Sequence, residues 1–174
     1  MPFFTEALQG RIDLHSAVYR KAHDGETVVW FTLDGHQLFH FADLPFQNKQ
    51  TQLYNEAKST LPARPAHFTI EIFQSEWYKA SHSLWERVEE KLQQEGHFDS
   101  YSVLNGLIEY PNLSIEAARQ HESLFIRGIA LLDRRFGKRQ LASVNENELS
   151  AFEKYCYHLR LETEAALQNE KRRI

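Results

Sequence analysis

Nine histidines, one cysteine and 24 carboxylates are the side chains here that could hold a metal, attack an electrophile or move protons. Their spacing speaks against most of those uses. His36 and His40 are four apart, but four residues of a strand span about 13 Å, too far for one ion. His97 and Asp99 make only a two-ligand fragment. No histidine lies three residues after a glutamate, so the Glu-x-x-His of di-iron bundles is absent. No metal centre and no cofactor is expected. Cys156 has His158 nearby, but on a helix the two point about 200° apart. Cys156 also lies on an apolar stripe, where a free cysteine acts as a small hydrophobe. Asp13 and His15 share a face if 11–20 is extended, and Glu71 sits on the polar side of its segment. Neither stands out from an ordinary surface.

Several catalytic signatures are missing. The sequence has no G-x-x-x-x-G-K-[ST], G-x-G-x-x-G, G-x-S-x-G or H-E-x-x-H. Its seven glycines are too dispersed to build a phosphate-cradling loop.

Two stretches carry binding potential. In DRRFGKRQL, Arg134, Arg135, Lys138 and Arg139 would cover one narrow face of a continuous helix. Residues 113–143 hold six Lys/Arg against three Asp/Glu, a local excess that could meet phosphate oxygens. A solvated helix end is the plainer explanation, and a break at Gly137 would scatter the charges. The second stretch is TVVWFTLDGHQLFHF, residues 27–41. Asp34-Gly35 is a strong two-residue hairpin signal, because a type I′ turn needs two positive φ angles. Asp24-Gly25 is a second turn signal.

If both turns are two-residue, Leu33 faces His36 and His23 faces Glu26. Tyr19, Trp30 and Phe39 then form one ladder, extended by Val28 and Phe41, while Val18, Phe31 and Leu38 form the opposite one. Rings with polar neighbours on an open sheet would suit stacking or a protein contact. Burial of that face under the later helices accounts for the rings more simply.

These residues need a scaffold. A β-meander is expected at about 14–42, a helix at about 46–60 and a strand at 67–73, where Phe68, Ile70 and Ile72 alternate with polar residues. Ser75 caps a helix running to about Gln94, ended by Gly96. A short helix follows at about 100–108. Ser114 opens another helix carrying Phe125, Ile129, Leu132 and Phe136. A last helix takes a capping box from Ser143 with Glu146 or Asn145 with Glu148, and carries the stripe Leu149, Phe152, Cys156, Leu159, Thr163 and Ala166.

The fold class is therefore α+β, one domain over 1–174, sheet-rich over 11–73 and helical over 75–172. The apolar fraction of 42% and net charge of −4 are ordinary and favour neither nucleic acid nor an anionic membrane. A single cysteine excludes an internal disulfide and suits a reducing cytoplasm. No signal peptide or transmembrane helix is evident. The leading functional expectation is a non-catalytic cytoplasmic interaction module that pairs with a protein or with itself as a homodimer. Its contact surface would be the Tyr19–Trp30–Phe39 face or the Leu149–Ala166 stripe. The alternatives are nucleic-acid binding through residues 134–139, and a small-molecule binder or enzyme with a pocket between sheet and helices.

Overall fold

The computed structural model describes residues 2–21, 25–66 and 70–173. The fold is α+β. Strands β1 (Ile12–Tyr19), β2 (Glu26–Leu33) and β3 (His36–Ala42) form an antiparallel sheet in the order β1-β2-β3. The helices are α1 (Asp43–Ala57), α2 (Glu76–Gln94), α3 (Ser100–Glu109), α4 (Ile115–Arg119), α5 (Leu124–Leu132), α6 (Lys138–Ala142) and α7 (Ala151–Lys171).

The Asp34-Gly35 turn forms as its residue types demand, with φ of 52° and 80°. Arg11 braces it, its Nε donating to Asp34 Oδ1 at 3.0 Å. Leu33 faces His36 as expected. Thr32 facing Gln37 keeps the same register, and beyond these two pairs the registers differ from the expected ones. Trp30 pairs with His15, and Tyr19 pairs with Glu26, so the β1–β2 connection is six residues long. Asp24 and His23, on which the shorter turn was argued, lie outside the described residues. In β3 a bulge leaves Leu38 without a partner: Thr32 faces Gln37, but Phe31 faces Phe39. One extra residue shifts the alternation of everything after it. Phe39 and Phe41 therefore join Phe31 and Val29 on the inner face, with their rings 5.8–6.4 Å from that of Phe31. The Val18–Phe31–Leu38 and Tyr19–Trp30–Phe39 ladders do not form.

Phe31, Phe39 and Phe41 enter the main core with Phe98, Phe125 and Phe152. These rings meet edge-on or tilted, except that Phe125 stacks on Phe152 at 5.4 Å and Phe39 on Phe41 at 6.2 Å. A second cluster joins Phe46 of α1 to Leu84, Val88 and Leu92 of α2. Helix α2 begins where expected, with Ser75 Oγ accepting from Tyr78 N–H, and it ends at Gly96 with φ of 85°.

The strand expected at 67–73 is absent over its described part. Residues Ile70–Gln74 form a 3-10 turn. Ile70 is 85% exposed and only Ile72 is buried. Among the described residues no strand lies alongside to accept backbone bonds, and Ser75 N–H closes onto Ile72 O at 3.0 Å to begin α2. Residues 67–69 lie outside the described residues.

The helix expected after Ser114 is two helices. Ser114 caps α4, the chain breaks at 120–123, and Ser123 caps α5. Phe136 falls in the loop after α5 yet remains buried. The last helix starts later than expected, at Ala151, through a capping box between Ser150 and Glu153. Its stripe from Leu149 to Thr163 is buried, with α7 packed along α5, so it is core and no contact surface; Ala166 alone is exposed.

Candidate interaction surfaces

The seven sequence-derived binding residues separate into different environments. Phe39 is buried beneath the sheet, with its ring 5.0 Å from that of Phe152. Trp30 is half-buried on the opposite face and stacks on His15 at 5.1 Å and 13°. His15 Nε2 lies 3.0 Å from Thr32 Oγ1. Tyr19 is 55% exposed at the far end of β1.

Residues 134–139 form no continuous helix. The chain turns extended at Asp133, loops through Gly137 and enters the five-residue α6. Arg135 folds back into the protein. Its Nη2 donates to Asp133 Oδ2 at 2.7 Å, its Nη1 donates to Leu113 O at 2.8 Å, and its guanidinium stands over the Tyr110 ring. A wholly buried carboxylate, Asp133, draws it there. Arg139 is exposed on α6. Arg134 and Lys138 line a cleft against Thr5 and the C-terminal half of α7. Backbone bonds from Thr5 N–H to Leu132 O and from Arg134 N–H to Phe3 O build that arrangement. The basic helix is thus replaced by one structural arginine, one outlying arginine and two cations at a cleft.

The other potentially reactive groups are mostly structural. Cys156 is fully buried, and burial pushes its thiol well above the usual value. His158 is exposed and meets Glu146. The described histidines are dispersed. His40 and His97 line one pocket of about 170 Å³ at the junction of β3, α1 and the end of α2. There Lys49 Nζ lies 2.5 Å from His97 Nε2 and donates to Glu95 at 3.2 Å. Burial, then the neighbouring Lys49 charge, lowers the His97 pKa.

One surface was not anticipated by residue type alone. β1 is an edge strand, and both of its faces emerge into solvent toward its end. Leu14 is 40% exposed and Val18 59%, both on the inner side; Tyr19 is exposed on the other. Asp34 N–H donates to Arg11 O at 2.9 Å. That bond fixes the alternation: odd-numbered β1 residues bond to β2, and even-numbered ones turn their backbone groups to the open edge. Leu14 and Ser16 offer both N–H and C=O there. Val18 offers its N–H, its C=O being taken by Arg20 N–H at 3.1 Å.

The model of the SF0329 protein family matches residues 1–161, nearly the whole chain. The chain belongs to the SF0329 protein family. The matched stretch of this SF0329 member contains the sheet, the β1 edge and the cleft residues Thr5, Arg134 and Lys138. No curated protein and no solved structure matches the chain. Among the described residues, no helix is long and apolar enough to cross a membrane.

Proposed function

We propose that this family member is a non-catalytic cytoplasmic interaction module whose partner is a second copy of itself, joined edge to edge along β1. The observation that supports this reading is an eight-residue edge strand, Ile12–Tyr19, that carries exposed Leu14 and Val18. Edge strands are ordinarily blunted by lysine, proline, a bulge or shortness. β1 contains no lysine and no proline, and the bulge lies in β3, at the opposite side of the sheet.

A two-fold pairing selects its own register. Residues with outward backbone groups must meet each other, so even-numbered residues pair with even-numbered ones. Setting Ser16 on the axis places Leu14 against Val18 of the second copy, twice over, and covers the exposed apolar side chains. The same register sets Asp13 opposite Tyr19 of the second copy. Cross-strand apolar pairs contribute about 0.2–1 kcal/mol each, and the backbone bonds add to them. A cytoplasmic setting is supported by cysteine usage, since the single Cys156 is free.

The test is solution mass by light scattering across a concentration series, starting from a chain mass of 20.5 kDa. The expected result is a dimer that Leu14→Lys with Val18→Lys converts to a monomer of unchanged circular dichroism. A wild-type chain that stays monomeric at high micromolar concentration would sink the proposal, as would a charged variant that still dimerises.

A further inference from the structure

The cleft beside Arg134 has the makings of a small-anion site, independent of the β1 edge. It holds about 270 Å³ and lies between the N-terminal turn, the loop before α6 and the C-terminal half of α7. Four cations border it: Arg134, Lys138, Arg160 and Lys171. Its two acids are already engaged. Glu164 takes Arg160 Nε at 2.8 Å, and Glu6 takes Lys171 Nζ at 2.7 Å. Arg160 is further committed, its other nitrogens donating to three backbone carbonyls. Arg134 and Lys138 have no ion-pair partner among the described residues, so two positive charges remain unmatched at the cleft.

A second, separate observation concerns the same lining. Thr5 is only 6% exposed, and its Oγ1 is the buried side-chain oxygen without a hydrogen-bond partner among the described residues. An unmet buried hydroxyl is costly and rare in a native fold. Here it belongs to a residue that lines the cleft. Leu167 adds an apolar wall beside the charges.

We infer that this cleft binds a small phosphate monoester, with Arg134 and Lys138 on the phosphate and Leu167 against the organic body. The charge matches, because a monoester carries about −1.5 to −2 at neutral pH. The chemistry matches, because a guanidinium presents a planar fork to phosphate oxygens and an ammonium adds a point charge. The size matches only a compact ligand, the space lying just below the roughly 300–1,000 Å³ of small-molecule sites.

Isothermal titration of the full chain with glycerol 3-phosphate, at fixed ionic strength, tests the assignment, with inorganic phosphate, succinate and glycerol as parallel probes. Saturable binding of glycerol 3-phosphate is expected, with inorganic phosphate weaker and glycerol inert. Arg134→Gln with Lys138→Gln should weaken it by about tenfold or more, since each change removes a charge-assisted bond. Arg139→Gln, outside the cleft, should leave it unchanged. Both cleft cations are exposed, so the double variant keeps its core, and an unchanged melting temperature verifies this. The inference is overturned if glycerol 3-phosphate gives no saturable signal, if the double variant binds as well as wild type, or if succinate binds as tightly as the monoester.

Discussion

Tyr110 Oη donates to Asp133 Oδ2 at 2.7 Å, with both residues almost wholly buried. This bond joins the end of α3 to the loop after α5. Burial, reinforced by the adjacent carboxylate, raises the phenol pKa well above its ordinary 10.0, so Tyr110 stays a donor. Tyr110→Phe keeps the ring and removes the donor, leaving Asp133 with Arg135 alone among side chains. A bond to a charged group is worth about 1.5–3 kcal/mol. Thermal melting should fall by about 2–4 °C for each kcal/mol lost in a chain of this size.

Glu153 is more heavily engaged. Its Oε1 takes Arg119 Nη1 at 3.2 Å and Arg127 Nε at 3.0 Å, while its Oε2 takes Ser150 N–H at 3.1 Å and Ser150 Oγ–H at 2.9 Å. The carboxylate is fully buried; the two arginines are only partly so. Glu153→Gln leaves the α7 cap largely in place but strands the guanidinium charges. Breaking a buried pair costs about 3–5 kcal/mol, and the partial exposure of the arginines moves the expected loss to the lower end. Urea unfolding with an unchanged slope would read that loss directly.

Gly128 has a packing reason to be glycine. A Cβ there would lie 2.4 and 2.5 Å from Cδ1 and Cε1 of Phe152, inside the buried α5–α7 contact. Phe152 is itself locked among Phe39, Phe98 and Phe125. Gly128→Ala should destabilise by about 1–3 kcal/mol despite the better helix propensity of alanine. Equal or higher stability of the variant in urea would contradict this packing account.

His97 gives a pH dependence of definite sign. Its pKa in the fold lies below the ordinary 6.5, chiefly because of burial. The unfolded chain takes up the proton first as pH falls. The stability is present above about 6.5 and is lost as pH drops from there through the lower folded value. His97→Gln retains an acceptor for Lys49 and removes the titration. Its stability should therefore fall less than that of wild type over the same acid range, as measured by urea midpoints.

Much of the scaffold was legible in the sequence. Asp34-Gly35 specified its turn, Ser75 its helix start and Gly96 its helix end, because each rule depends on a few adjacent residues. What was not legible depended on distant partners. The bulge at Leu38 leaves no mark in the local alternation, yet it moves Phe39 and Phe41 to the other face. The alternation of residues 67–73 resembles a strand, but a strand requires a neighbour and, among the described residues, none stands beside 70–73. Ser123 capped a second helix inside a stretch whose apolar spacing read as continuous. The basic residues at 134–139 were visible as a group, but their separation rests on Asp133, whose burial no local pattern reveals. The cleft was invisible for the same reason: Thr5 and Arg134 are brought together by backbone pairing across nearly 130 residues.

Arg160 Nη1 donates to Leu131 O and Asp133 O at 2.8 and 3.0 Å, and its Nη2 donates to Phe136 O at 2.7 Å. The carbonyls at the end of a helix need donors from elsewhere, and here α5 receives them from a side chain of α7. Until the last helix docks, the Leu131 carbonyl of α5 and the Asp133 and Phe136 carbonyls of the loop after it lack these donors. Chain segments 124–136 and 151–163 accordingly mature as one cooperative unit, and hydrogen exchange at their core amides should open them together.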